Sequence, residues 1–153
     1  VDDLRPILLA EDSIDDVELT LEALRKEGLA NRVDVVGDGV EALEYLRRQG
    51  PWAARGGRRP ALLLLDIKMP RMDGLELLRE IRADAELRTL PVVILTSSRQ
   101  EQDLVTSYQL GANAYVVKPV QFEEFMHAVR QLGVFWALIN ELPPDDTGTK
   151  GAE

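Results

Sequence analysis

The sequence predicts an α/β protein built on a doubly wound, five-stranded parallel sheet, and three observations carry that prediction. Five short apolar runs alternate with longer amphipathic ones along the chain. Three of the runs are nearly continuous in Leu, Val and Ile, the composition of strands covered on both faces. The resulting order, βαβαβαβαβα, requires right-handed crossovers, which distribute the helices over both faces of one sheet.

Each element has a reason in the residues. "PILLA" at 6–10 reads as the first strand. Ser13 followed by Asp16 is a capping-box pattern, and Ile14, Val17, Leu21 and Leu24 then repeat at helical spacing until Gly28. "VDVV" at 33–36 is short and alternating, which marks an edge strand. Asp38 with Glu41 opens a second helix, with Val40, Leu43 and Leu46 on one face and Gly50 at its end. The loop "GPWAARGGRRP" at 50–60 is longer than a crossover needs. "ALLLLD" at 61–66 is the most apolar strand and ends on a carboxylate; Pro70 and the "DG" turn at 73–74 lead to a third helix through Leu75, Leu78 and Ile81. "PVVILT" at 91–96 is the fourth strand, and Ser98 with Glu101 caps a helix running to Gly111. "AYVV" at 114–117 is the fifth strand, followed by a helix from near Phe122 to about Asn140. The end, "PPDDTGTKGAE" at 143–153, reads as a disordered tail.

Composition narrows the class. A chain of 153 residues, 45% apolar and 29% charged, fits one domain with an ordinary core. Absence of cysteine excludes disulfides and thiolate metal sites and suits the cytoplasm. No apolar stretch reaches the roughly 18 residues of a membrane helix, and no leader opens the chain. A net charge of −9, with acids spread throughout, argues against nucleic acid. "RGGRR" at 55–59 is the one basic patch and reads as a solvated loop.

In open α/β sheets the ligand site lies beyond the carboxyl ends of the strands. The residues falling there are Glu11 and Asp12, Asp66, Thr96 and Lys118, from four different strands. Each alone has a plain structural reading as a cap, a strand end or a surface charge. Their coincidence points to one site. Three converging carboxylates repel unless a hard cation lies among them, and an oxygen-only donor set without His or Cys suits Mg²⁺ or Mn²⁺. Mg²⁺ favours a phosphate substrate, and Asp66 at a strand end can act as nucleophile to give an aspartyl phosphate. Lys118 and Thr96 would then neutralise phosphoryl oxygens, and phosphate would give both side chains a partner they lack beforehand. Neither GxxxxGK[ST] nor GxGxxG occurs, so covalent receipt of phosphate is expected rather than nucleotide binding.

At this point residues 5–142 resemble the receiver domain of two-component response regulators. The likeness rests on "ED" at 11–12, "LLLLDIKMPRMDG" around Asp66, "ILTS" at 94–97 and "VKP" at 117–119. It implies a (βα)5 flavodoxin-like receiver fold, Asp66 as phospho-acceptor, and a Mg²⁺ site of Asp12, Asp66, Glu11 and the backbone carbonyl of Lys68. It also implies a cis Lys118–Pro119 bond and Tyr115 as the switch partner of Thr96. The long loop and the ending "VFWALINELPP" at 134–144 are similar to single-domain regulators that partner phytochromes. A sensor histidine kinase is therefore the implied donor, and a downstream protein or phosphotransfer partner the implied recipient. Nothing after Leu142 reads as an output domain. A chemotaxis-type regulator is the near alternative.

Readings from other classes stay in view. Aspartate-nucleophile phosphatases need a second acid two residues on, where this chain has Lys68. A flavin carrier fits the topology, but three acids repel a flavin phosphate. His127 reads as a surface residue, Trp52 as loop packing or a partner anchor, and "MPRM" at 69–72 as too small for a binding surface. The fifth helix carries an apolar seam: Phe125, Ala128, Leu132, Phe135, Ile139 and Leu142 recur every seven residues. Its lower part suits one wide core face. Phe135, Ile139 and Leu142 overrun the sheet, which predicts a homodimer through that segment.

Overall fold

The computed structural model describes residues 4–56, 59–97, 106–133 and 138. Strands β1 (Ile7–Ala10), β2 (Val33–Val36), β3 (Leu62–Asp66), β4 (Val92–Thr96) and β5 (Ala114–Val117) alternate with helices α1 (Ile14–Lys26), α2 (Gly39–Arg47), α3 (Gly74–Ala83), α4 (106–109) and α5 (Phe122–Leu132). The sheet is parallel throughout, in the order β2-β1-β3-β4-β5. Every strand begins within one residue of its expected start, because apolar content and length mark buried parallel strands unambiguously. β2 is an edge strand, as its alternation predicts, and β5 is the other.

Alternation along the strands divides the core. Ile7, Leu9, Leu62, Leu64, Val93 and Leu95 face one way, against Leu24 of α1 and Phe125, Met126 and Val129 of α5. Leu8, Ala10, Leu63, Leu65 and Ile94 face the other, against Ala42 and Tyr45 of α2 and Leu77, Leu78 and Ile81 of α3. The four leucines of β3 are inaccessible to solvent. A central strand with that much apolar surface removed from water is a rigid base for whatever stands at its end.

The caps refine the reading. Ser13 accepts the Asp16 amide, but the reciprocal half of a capping box occurs instead at Asp73 and Glu76, the start of α3. The "DG" pair is therefore a helix entry rather than a free turn. Asp38 accepts the Glu41 amide at the head of α2, while the Glu41 carboxylate takes the Gly37 amide. Asp38 also receives Arg71 through two nitrogens, at 2.8 and 3.2 Å, and the Gly39 amide donates to the Met72 carbonyl at 2.9 Å. The loop after β3 is thereby fastened to the head of α2. Burial alone would raise the Asp38 pKa, but Arg71 and the capping amides outweigh it and hold the carboxyl below its ordinary value. An Asp38→Ala protein is expected to lose about 1 kcal/mol at pH 7 from the cap alone. A depressed acid stabilises above its unfolded pKa, so the gap from wild type narrows as pH falls below about 4. Urea denaturation of both proteins across pH 3–7 reads the effect.

The long loop has a packing explanation. Trp52, in a short 3-10 turn over Gly50–Trp52, meets Tyr45 edge-on at 4.8 Å and donates to Glu41. Arg55 lies over the same Tyr45 ring at 3.9 Å, and the Tyr45 hydroxyl donates to Asp34 at 2.6 Å. Trp52 is thus loop packing, and part of the "RGGRR" patch lies on α2. His127 is exposed on α5, and Met69 is buried in the core.

The last helix departs from expectation. α5 ends at Leu132, and Gly133, at φ 71°, is its left-handed cap, its backbone N–H donating to the carbonyls of Arg130 and Val129. Glycine adopts that conformation without a Cβ penalty, so it stops a helix whose apolar spacing continues. Phe125 and Ala128, the first residues of the seam, are core. Phe135, Ile139 and Leu142, the Ser98–Glu101 cap and the tail 143–153 lie outside the described residues. Leu138 is buried, with its carbonyl accepting from Asn31 at 2.9 Å.

Candidate functional site

Parallel strands that run the same way end on the same side, and β1, β3, β4 and β5 each deliver a polar residue there. Glu11 and Asp12 follow β1, Asp66 closes β3, Thr96 closes β4 and Lys118 follows β5. These residues line a single cleft of about 320 Å³ together with Ser13, Asp16, Lys68 and Ser97. The sequence-expected set is therefore brought together, and Lys68, two residues past Asp66, is on the rim. Tyr115 and Pro119 are not among the residues lining it. Tyr115 stands half-buried on β5 with its ring edge-on to Tyr108 at 6.3 Å, and the Lys118–Pro119 peptide bond is cis.

Carboxylate oxygens of Glu11, Asp12 and Asp66 lie within 4.8 Å of one another. This is a fit for a hard divalent cation: oxygen donors only, with no thiolate or imidazole in the cluster. Burial and nearby acids make the anionic forms costly. Desolvation is the main cause that raises the Glu11 pKa, with Asp66 adding to it. Desolvation likewise raises that of Asp66, with Asp12 and Asp16 contributing in the same direction against Lys118. A bound cation would relieve both.

Lys118 corrects one expectation. Its ammonium does not lack partners: it meets Asp16 at 2.8 Å, Glu11 at 3.0 Å and Asp66 at 3.1 Å. The physical reason is the cluster itself, which surrounds a cation held with a side chain only 11% exposed. Burial would lower the lysine pKa, but Asp16, Glu11 and Asp66 more than reverse that and hold it well above the ordinary value. Asp16 is the site residue that sequence reasoning missed. The expected capping box gave its carboxylate to the Ser13 amide, which donates instead to Glu11 at 3.2 Å. The available signal was its place in the first turn of the helix that follows the Glu11–Asp12 pair.

Thr96 is buried at the end of β4. The floor of the cleft is set by how α3 meets β3. The Gly74 amide donates to the Ile67 carbonyl at 2.7 Å, and a Cβ on Gly74 would stand 2.4 Å from the Asp66 carbonyl oxygen. Among the described residues, no helix is long and apolar enough to cross a membrane.

Comparison with known proteins gives a consistent result. Residues 7–130 match the response regulator receiver domain. The chain is 36% identical over 137 residues to response regulator Rcp1 of Synechocystis sp., spanning 90% of this chain and 92% of that protein. The bacteriophytochrome response regulator AtBRR superposes with a TM-score of 0.82 at 59% identity, covering 90% of this chain and 99% of that one. The phosphorylated cyanobacterial phytochrome response regulator RcpA superposes at 0.72 with 37% identity, covering 93% and 99% of the two chains. The Mn²⁺-bound form of Rcp1 superposes at 0.70 with 35% identity, covering 92% and 99%. With the five-stranded topology and the acidic cleft already described, these matches show that the chain belongs to the response regulator receiver domain family.

Proposed function

We propose that this protein is a single-domain response regulator that takes a phosphoryl group from the phosphohistidine of a sensor kinase onto Asp66, and passes the signal on by protein contact or onward phosphotransfer. The observation that carries the reading is the position of Asp66, at the end of a fully buried strand, 3.1 Å from the Lys118 ammonium and beside two further acids. A buried carboxylate with its pKa raised is a better nucleophile than a fully solvated one once a cation and Lys118 receive the incoming charge.

In the transfer, an Asp66 carboxylate oxygen forms a bond to phosphorus as the phosphorus–nitrogen bond to the donor imidazole breaks. The electron pair leaves on the ring nitrogen, which takes up a proton. Glu11, Asp12, Asp66 and the Lys68 carbonyl would hold Mg²⁺ or Mn²⁺, which supplies positive charge to the phosphoryl oxygens. Lys118 would hold another of those oxygens and Thr96 a third. Tyr115 and Pro119 flank this machinery in sequence and are assigned to the switch that follows. AtBRR is a bacteriophytochrome response regulator and RcpA a cyanobacterial phytochrome response regulator, and this supports a phytochrome kinase as the donor. Residues 1–142 would form the receiver domain.

The test is phosphotransfer from a panel of autophosphorylated histidine kinases, bacteriophytochrome kinases among them. Fast transfer from one donor in Mg²⁺, stopped by EDTA, is the expected result. Absence of transfer from every donor in excess Mg²⁺ would remove the reading. Sustained phosphate release with turnover would favour a phosphatase instead, although an exposed Lys68 stands where such enzymes place their second acid.

A further inference from the structure

An ammonium has three N–H donors and no acceptor. Lys118 spends all three on carboxylates: Asp16 Oδ2, Glu11 Oε1 and Asp66 Oδ1. Two of these acids belong to the group able to share a cation; Asp16 does not. It sits in the first turn of α1, where its amide donates to the Ser13 cap and its carboxylate makes the shortest of the three lysine contacts.

A phosphoryl group on Asp66 adds a dianion that needs one of those N–H donors, so one carboxylate must release the lysine. The three differ in what release costs. Glu11 has a side chain 1% exposed, so water cannot take the ammonium's place on its Oε1. Asp66 is the group that becomes phosphorylated, and it can keep Oδ1 on the lysine while its other oxygen attacks phosphorus. Asp16 is 35% exposed, so water can replace the ammonium there at small cost.

We propose that Asp16 is a positioning residue that holds the Lys118 ammonium in the resting protein and yields it to the phosphoryl group, thereby slowing the charging of Asp66. The inference deepens the reading of Asp66 as phosphoryl acceptor and rests on it. Removing the Asp16 charge leaves Lys118 bound to Glu11 and Asp66, with one donor already available to the incoming group.

The experiment measures initial labelling by acetyl phosphate at saturating Mg²⁺ in wild type, Asp16→Asn, Lys118→Met and the double variant. In this reaction the Asp66 oxygen bonds to phosphorus as the phosphorus–oxygen bond to acetate breaks and acetate leaves with the electron pair. Asp16→Asn is expected to label about three- to tenfold faster, equivalent to roughly 0.7–1.4 kcal/mol in the barrier. Asp16→Glu should return toward the wild-type rate. In the Lys118→Met background the Asp16 substitution should change nothing, because its effect runs through the lysine. Titration of the same four proteins with beryllofluoride, followed by ¹⁹F NMR, gives the same coupling where labelling of the lysine variants is slow. An unchanged or slower Asp16→Asn rate overturns the proposal. Equal acceleration with and without Lys118 also overturns it, since Asp16 would then act as a bare charge. A wild-type protein that never labels contradicts the acceptor reading itself.

Discussion

An Asp66→Asn protein is expected to take up no phosphoryl group, whether the donor is a histidine kinase or acetyl phosphate. The amide keeps the shape of the carboxylate at the end of β3 and removes its nucleophilic oxygen. Loss of a nucleophile costs about 10⁴-fold or more in the chemical step, so labelling should fall to background. The variant should still fold, because β3 is held by its four buried leucines rather than by its last residue. The assay is acid-stable, hydroxylamine-labile incorporation of radioactive phosphate, with thermal denaturation as the control for folding. Asp12→Ala in the same assay should label slowly and need more Mg²⁺, since it removes one of three clustered carboxylates. Wild-type labelling of Asp66→Asn would mean that another residue accepts the phosphate.

A Gly74→Ala protein should lose both stability and site geometry. The three atoms nearest a Cβ at this position are all backbone: the Asp66 carbonyl oxygen at 2.4 Å, Ile67 Cα at 2.8 Å and the Asp66 carbonyl carbon at 3.1 Å. A flexible side chain could swing aside, but a strand of the central sheet cannot. Either the head of α3 backs away, breaking the Gly74–Ile67 hydrogen bond, or the Asp66 peptide rotates. Overpacking of this kind costs about 1–3 kcal/mol. The second route also displaces the proposed nucleophile, so labelling should slow together with the loss of stability. Urea unfolding and initial labelling rates measure the two effects. Unaltered values in both would show that the junction is not as tight as the geometry requires.

Much of this was legible in the sequence for physical reasons. Buried parallel strands are continuous apolar runs, so the element order and the placement of Glu11, Asp12, Asp66, Thr96 and Lys118 at strand ends followed directly. What escaped has a common character. Asp16 had one satisfactory role, as the partner of Ser13 in a capping box, and sequence cannot reveal that its carboxylate instead reaches across to Lys118. "DG" at 73–74 signals a turn, yet Gly74 is required by its close approach to the end of β3 rather than by its own backbone angles. The apolar spacing of the last helix runs on past Gly133, whose left-handed cap ends α5 at Leu132. Periodicity reports which residues are apolar, and a single glycine decides where the helix stops. The tie of Arg71 to Asp38 joins residues far apart in sequence, and charge alone did not pair them.

The most direct test of the central claim locates the phosphoryl group chemically in the unaltered protein. Borohydride reduces an acyl phosphate to the alcohol, so a phosphorylated aspartate becomes homoserine and keeps a permanent mass change. Labelling with a histidine kinase or acetyl phosphate in Mg²⁺, reduction, and mass mapping of the peptides should place homoserine at position 66 alone, and EDTA should prevent its appearance. An intact Asp66 in a protein that carries the modification at another acid would contradict the account.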